Sequence, residues 1–234
     1  MQFRHSGQIW QDYPELVAGA MIVEGIDSSA VITDVVAELS AEAEARLAEN
    51  QIRALPEIQA WRRIFARMGL KPTQYRCAAE SLLRRFGKDG SLPRIHPLVD
   101  LLNAISIAYA IPIAVFDLDR VDDQLEVRYA DGTETYQAFS GDEERPRPGE
   151  VIFVDSAGRA HARRWTHRQS ARSAITDRTR RVLIVAEAVH DRAGADVAAL
   201  VDRTVAQLSR LWPAAVTAAI LTAAAPTLGA APEG

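Results

Sequence analysis

The sequence predicts an α+β fold in a single domain, because helical patterns fill its first half and strand patterns its second. Amphipathic helices that begin at prolines precede Pro112. Short apolar segments follow it, separated by Asp-Gly, Pro-Gly and Ala-Gly turns. We assign residues 1–212 to this domain and residues 213–234 to an Ala-rich C-terminal tail. A chain of 234 residues is long enough to bury a full core.

Each element follows from the spacing of its apolar residues. Helical spacing predicts helices over 33–50, from Pro56 to the C-cap Gly69, from the N-cap Thr73 to Phe86, over 97–109 and over 194–212. Extended patterns predict β structure over 9–25, 113–116, 125–129, 134–139, 150–154, 160–165 and 181–189. The last of these segments is apolar enough to be buried on both faces. The Ala-rich segment 214–225 predicts a terminal helix.

Composition excludes several classes of function. The net charge of −4 gives no bulk attraction to nucleic acid, although a local basic face remains possible. Walker, GxGxxG, HExxH and GxSxG motifs are absent from the sequence, which argues against energy-coupled and dinucleotide redox chemistry. The single cysteine, Cys77, is either a small core residue or a catalytic thiol. We expect a cytoplasmic protein, since one cysteine fits a reducing compartment and the first ten residues lack the apolar core of a signal peptide. We expect no metal, no cofactor and no membrane segment.

Three groups of polar residues are candidate site residues. The first is Arg76, Glu80 and Arg84, spaced four apart on one predicted helix. These residues form either an exposed ion-pair ladder or, if half-buried, a group that orients a carboxylate or phosphate.

The second group is His96, Asp100, Asn103 and Ser106, on the predicted helix that starts at Pro97. Asp100 suits the helix dipole, whereas Asn103 is a poor helix former and is costly to bury unpaired. His96 precedes the helix, where a structural or solvated histidine is the simpler interpretation. A ligand is one possible partner for these polar side chains.

The third group is the basic segment 158–181, which contains eight arginines and one acidic residue, Asp177. Arg164, Trp165 and Arg168 could hold phosphates and stack on a base, since arginine beside an aromatic ring suits both contacts. The alternative is a solvated loop with Trp165 in the core.

Several spaced motifs resemble a known family. Residues 94–132, RIHPLVDLLNAISIAYAIPIAVFDLDRVDDQLEVRYADG, resemble the B3/B4 editing domain of the β subunit of bacterial phenylalanyl-tRNA synthetase. The motifs around Tyr75–Arg84, 92–100, 146–150 and 163–170 resemble freestanding relatives of that domain. His96 stands where the family has Asn, and Thr166 and His167 replace an Asn-Trp pair. The resemblance covers roughly residues 13–189.

The resemblance implies a three-layer α+β fold with a β-sandwich-like core and flanking helices. It also implies a tRNA-binding protein that hydrolyses mischarged tRNA in trans, a task that arises because small differences between amino acids give only about 1–3 kcal/mol of discrimination. Under this hypothesis the catalytic residues are His96, Asn103 and Glu80. The substrate-binding residues are Arg76, Asp100, Ser106, Arg164, Trp165 and Arg168. The alternatives are a non-catalytic tRNA or aminoacyl-tRNA binding module and a small-molecule amino-acid binder; DNA and membranes are not expected partners.

Overall fold

Two β-sheets and six α-helices make up residues 1–229, the part of the chain that the computed structural model describes. The helices are α1 (Gly7–Asp12), α2 (Thr33–Glu49), α3 (Pro56–Arg67), α4 (Ala78–Asp89), α5 (Pro97–Tyr109) and α6 (Ala193–Leu211). The strands are β1 (Gln2–His5), β2 (Val17–Glu24), β3 (Ile113–Asp117), β4 (Gln124–Tyr129), β5 (Thr135–Gln137), β6 (Glu143–Glu144), β7 (Val151–Asp155), β8 (Arg159–Arg163), β9 (Arg168–Gln169), β10 (Arg181–Ala188), β11 (Ala215–Leu221) and β12 (Thr227–Gly229). The predicted α+β class is confirmed.

The strands form one mixed sheet and one antiparallel sheet. The larger sheet has the order β12-β1-β4-β7-β8-β5-β6, with β9 also paired to β8, and its β1–β4 and β5–β8 pairs are parallel. The smaller sheet has the order β11-β2-β10-β3, and its neighbours are all antiparallel. None of the helices within residues 1–229 is long and apolar enough to cross a membrane.

The strand β10 shows how the layers are arranged. Leu183 and Val185 belong to the core that lies between the two sheets, whereas Ile184 and Ala186 pack in a second core with α2, α5 and α6. Successive side chains of a strand point to opposite faces, so a strand with cores on both sides must be apolar throughout. The large sheet, the small sheet and the helices α2, α5 and α6 thus lie in three successive layers, while α1, α3 and α4 contribute residues to the core that both sheets share. The prediction that this segment is buried on both faces is confirmed.

The contact between β2 and α6 depends on the absence of a side chain at Gly19. A Cβ atom built there would lie 2.4 Å from Val201 Cγ2 and 3.0 Å from Val197 Cγ1. Because packed interiors cannot absorb such overlap, any larger residue would push α6 away from the sheet.

Two predictions are wrong, namely the strand at residues 9–12 and the residue at which α4 begins. Residues 7–12 form a helix instead of a strand, because Ser6 caps it and its apolar residues turn inward. The helix α4 starts at Ala78 with Cys77 as its N-cap, four residues after the predicted N-cap Thr73. The reason is tertiary, since the Ala78 N–H donates to the carbonyl of Thr166 at 2.8 Å and holds this segment against a distant loop.

The predicted terminal helix over 214–225 is also wrong. Residues 215–221 form β11, which pairs with β2, and residues 227–229 form β12, which pairs with β1. Alanine favours helices, but Pro213 lies two residues after the end of α6 and the edge of β2 offers a full row of backbone partners. The backbone pairing overrides the local propensity, and Leu221 enters the inter-sheet core.

We therefore predict that Leu221→Ala lowers the free energy of unfolding by about 2–5 kcal/mol, since Leu221 is buried. Thr217→Ala, on the same strand but exposed, should change it by less than about 0.5 kcal/mol. Urea denaturation followed by circular dichroism measures both values. Equal, small effects would contradict the docking of β11.

Candidate functional site

A pocket opens between the two sheets and takes its apolar walls from both. Ile113 and Val185 come from the small sheet, and Phe153 and Ala162 come from the large one. Residues 165–169 add most of its polar groups. The enclosed space is about 60 Å³, and the pocket is partly open to solvent. The enclosed part has room for a small chemical group, so a larger ligand would extend through the mouth.

The carboxylate of Glu187 lies at this pocket and is held by two rings. Its Oε1 atom accepts a hydrogen bond from Trp165 Nε1 at 2.8 Å and contacts His5 Nε2 at 2.7 Å. The backbone carbonyl of the same residue accepts a bond from Trp61 Nε1 at 3.3 Å. Within residues 1–229 the second oxygen, Oε2, has no hydrogen-bond partner. Because Glu187 lines the pocket, this oxygen is available to accept a hydrogen bond from a ligand there.

The imidazole of His167 also lines the pocket, with one nitrogen already committed. Its Nδ1 atom lies 2.7 Å from the backbone carbonyl of Arg76 and 3.4 Å from the backbone nitrogen of the same residue. The shorter contact is to an atom that can only accept, so we assign the proton to Nδ1. Burial lowers the pKa of His167 below its ordinary value, and this outweighs the opposing effect of the Arg76 carbonyl. The ring is therefore neutral near neutral pH, and the lone pair of Nε2 can accept a proton.

A strained turn brings these groups to the pocket. Arg164 and Trp165, which follow β8, have φ angles of 49° and 56°, values that non-glycine residues rarely adopt. The turn brings Trp165 within hydrogen-bond distance of Glu187 and places Thr166 in the pocket wall. The buried Thr166 Oγ1 has no hydrogen-bond partner within residues 1–229. Strain in such a turn often marks a functional site, because the surrounding contacts must hold it in place.

Comparison with known families decides the classification. Residues 60–220, more than half of the chain, match the B3/4 domain. The chain belongs to the B3/4 domain family. The pocket, the turn and Glu187 all lie within the matched residues.

Solved structures are also similar to this chain. The B3/4 chain is similar to an N-terminal fragment of the phenylalanyl-tRNA synthetase β-subunit from Pyrococcus horikoshii, with 11% identity and a TM-score of 0.49. The match covers 92% of this chain and 49% of that fragment, so this chain spans about half the fragment's length. The curated proteins contain no match.

The structure places Glu80, one of the predicted catalytic residues, outside this pocket of the B3/4 domain. Its carboxylate is fully buried and is shared by three arginines. Arg62 binds both oxygens at 2.9 and 3.0 Å, Arg84 binds Oε1 at 3.0 Å, and Arg76 lies 3.6 Å away. This network is neither the exposed ladder nor an open anion site, since Glu80 is buried and both of its oxygens already accept bonds from arginines. Arg76 Nε is buried and makes no hydrogen bond within residues 1–229. The catalytic role of Glu80 stays a prediction.

The second predicted group lies on α5, also away from the pocket lining. The Nδ1 atom of His96 caps the helix by accepting the N–H of Leu98 at 3.2 Å, and burial lowers the pKa of His96. Asp100 accepts the N–H of Ile95 at 2.8 Å, and Ser106 donates to a backbone carbonyl. These bonds stabilise the ends of α5. Asn103 is half-buried on the same helix, and the roles predicted for all four residues stay predictions.

The basic segment divides into paired and unpaired arginines. Trp165 is 1% exposed, so it lies in the core and has no free face on which a base could stack. Four arginines meet acids from other segments, namely Arg159, Arg163, Arg168 and Arg181. Burial raises the pKa of Glu150, but the bonds and charge of Arg163 outweigh it and hold this pKa below its usual range. Within residues 1–229, the segment's other arginines have no acidic partner within salt-bridge distance; they are Arg164, Arg172, Arg178 and Arg180.

Sequence reasoning missed Glu187, His167 and His5 as site residues. A signal existed for two of them. Glu187 is the one acid in an otherwise apolar strand interior, and His167 lies where the family motif has a different residue. No signal exists for His5, because its contact with Glu187 joins residues 182 positions apart. Cys77 is a core residue, since burial raises the pKa of its thiol to about 12 and leaves no thiolate.

The two indole donors near Glu187 allow a matched test of its charge. Trp165→Phe removes a bond to the carboxylate, whereas Trp61→Phe removes a bond to the neutral carbonyl of the same residue. Bonds to charged groups contribute about 1.5–3 kcal/mol and neutral ones about 0.5–1.5 kcal/mol, so Trp165→Phe should destabilise the protein by about 1 kcal/mol more. Urea denaturation measures both values, and equal losses would argue against a charged Glu187.

Proposed function

We propose that this B3/4 domain binds the aminoacylated 3′ end of tRNA and hydrolyses the ester bond of mischarged tRNA. The resemblance of residues 94–132 to an editing domain supplies the substrate class, and membership of the B3/4 family supports it. The observation that carries the proposal is the pocket itself. It places a buried carboxylate with a free oxygen and a neutral histidine around a small, mostly apolar cavity that opens to solvent.

Each group has a task that its surroundings support. Glu187 Oε2 accepts the α-ammonium of the bound amino acid, while Val185 and Phe153 contact the side chain. The unpaired hydroxyl of Thr166 donates to the ester carbonyl oxygen as it becomes negatively charged. Such a donor is worth most in a pocket from which water is largely excluded.

The proposed reaction is a water attack assisted by His167. Nε2 accepts a proton from water as the water oxygen bonds to the ester carbon. The bond to the ribose oxygen then breaks, and the imidazole returns the proton to that oxygen. The products are a free amino acid and a deacylated tRNA. The Arg76 carbonyl holds the ring in the tautomer that this step requires.

The arginines without acidic partners are the natural contacts for the RNA backbone. Arg164 lies with its guanidinium 5.0 Å from the centre of the Tyr75 ring, beside the turn that forms the pocket wall. Arg168 lines the pocket itself but shares Glu144 with Arg163. Phosphate contact by Arg164 would therefore cost no existing ion pair, whereas contact by Arg168 would compete with Glu144.

A second candidate is a binder of free amino acids or their small derivatives. Two observations favour it, namely the pairing of half the arginines in the basic segment with acids and the net charge of −4. Both weaken the attraction to RNA, which is mostly electrostatic and strongest at low salt.

A deacylation assay with a panel of correctly and incorrectly charged tRNAs tests the proposal. We expect release of at least one mischarged amino acid. His167→Asn should lower kcat by about 10²–10⁴-fold, because it removes the general base. Glu187→Gln should raise KM by about tenfold or more, because it removes the charge that meets the ammonium.

Asn103→Ala is the matched control, since Asn103 lies on α5 outside the pocket. It should leave the rate within about twofold of the wild type if the pocket is the site. Loss of activity in Asn103→Ala but not in His167→Asn would move the site to α5. Stable complexes without release would indicate a binding module. No tRNA affinity at low salt, together with binding of free amino acids, would favour the second candidate.

The pH dependence of the hydrolysis follows from the lowered pKa of His167. Protonation of Nε2 removes the lone pair, so the rate falls as the pH drops through this pKa. Because burial places the pKa below the ordinary 6.5, kcat/KM should stay constant through neutral pH and fall only below pH 6.5. Rates corrected for spontaneous ester hydrolysis measure the profile. A fall that begins above pH 7, or one that persists in His167→Asn, would contradict this assignment.

A further inference from the structure

A second cleft, separate from the pocket, brings together three side chains that can bind a metal ion. Glu57 lies in the first turn of α3, His190 follows β10 by two residues, and Asp196 lies in the first turn of α6. One potential ligand atom from each of these residues lies within 4.8 Å of those from the other two. The group is thus assembled by the fold from three distant parts of the chain.

Two of these side chains are buried and carry atoms without a partner. Glu57 is 8% exposed and His190 is 7% exposed. Within residues 1–229, Glu57 Oε2 and His190 Nδ1 are buried and make no hydrogen bond. A buried carboxylate oxygen without a donor costs free energy, and a bound cation would remove that cost.

The other polar atoms of the three side chains are held by two arginines and by a bond between His190 and Asp196. Arg46 Nη2 donates to Glu57 Oε1 at 2.8 Å, and Arg192 Nη2 donates to Asp196 Oδ1 at 3.5 Å. The other oxygen of Asp196, Oδ2, lies 2.8 Å from His190 Nε2. Bonds that fix the outer atoms of ligands are typical of metal sites, because they set the direction of the inner ones.

The cleft is open to an ion from solution, and its charge does not repel a cation. Its open space is about 1130 Å³, and it is lined by Arg46, Arg63, Arg192 and Asp191 as well as by the three side chains. The three carboxylates balance the three guanidinium groups. Two of those guanidinium groups are already turned toward carboxylate oxygens.

We propose that Glu57, His190 and Asp196 bind a divalent transition-metal ion, with Zn²⁺ as the best fit. Imidazole nitrogen and carboxylate oxygen are both ligand types that zinc accepts, and three protein ligands leave a fourth position open to water. The sequence alone predicts no metal site, since the three residues show no ligand spacing. This proposal does not depend on the proposed tRNA function.

Zinc titration of the chelator-treated full chain tests the proposal. Isothermal titration calorimetry with ZnCl₂ should show one ion per chain, and the ion should raise the melting temperature. Glu57→Gln, His190→Asn and Asp196→Asn should each weaken zinc binding by at least about tenfold. Asp202→Asn is the matched control, since Asp202 is exposed on α6 and outside the cluster. It should bind as the wild type does.

The proposal is overturned by the absence of saturable one-to-one binding in the wild type. Equal affinity in the cluster variants and in Asp202→Asn would overturn it as well, because the ion would then lie elsewhere. X-ray absorption of the zinc-loaded wild type gives a check that needs no variant. A first shell with one imidazole among oxygen ligands is expected, and a shell with several imidazoles would contradict the assignment.

Discussion

The buried carboxylate of Glu187 is the constraint on which the pocket depends. A charge in the core between two sheets is tolerated only where hydrogen-bond donors surround it. Here His5, on β1, and Trp165, which follows β8, provide the donors. Those donors must be brought to the small sheet, which carries Glu187 on β10. The strained turn at Arg164 and Trp165 and the position of β1 both follow from this requirement.

The electrostatics of the molecule separate two kinds of charged group. Glu80 and Arg163 are buried in closed ion networks that satisfy their own hydrogen-bonding atoms, so they contribute to a unique packing and offer little to a ligand. Thr166 and Glu57 instead keep buried polar atoms without partners within residues 1–229, and Glu187 keeps one carboxylate oxygen at the pocket without a hydrogen bond there. A buried polar atom without a hydrogen-bond partner is costly for folding. Such an atom is therefore a better indicator of a ligand site than a fully bonded ion network is.

Much of the fold could be predicted from the sequence, but less of the site. Periodicity located α2, α3, α5, α6 and the buried strand β10, because a packed core imposes its spacing on the chain. It failed at β11, where an open sheet edge outweighed the helix propensity of alanine. Polar residues on α5 drew attention because they break an apolar pattern, yet their bonds are local caps. The pocket residues depend on contacts between remote segments, which no local pattern encodes.

The pairing of His5 with Glu187 has a consequence for the order of folding. The two residues are 182 positions apart, so closing their contact is a long-range event that follows the formation of local helices. During synthesis the N-terminal strand emerges first and must wait for β10 before its histidine finds a partner. The pocket is thus among the last parts of the molecule to be completed, and an incompletely folded chain would lack it. Ligand binding can therefore serve as a sensitive reporter of native folding in this protein.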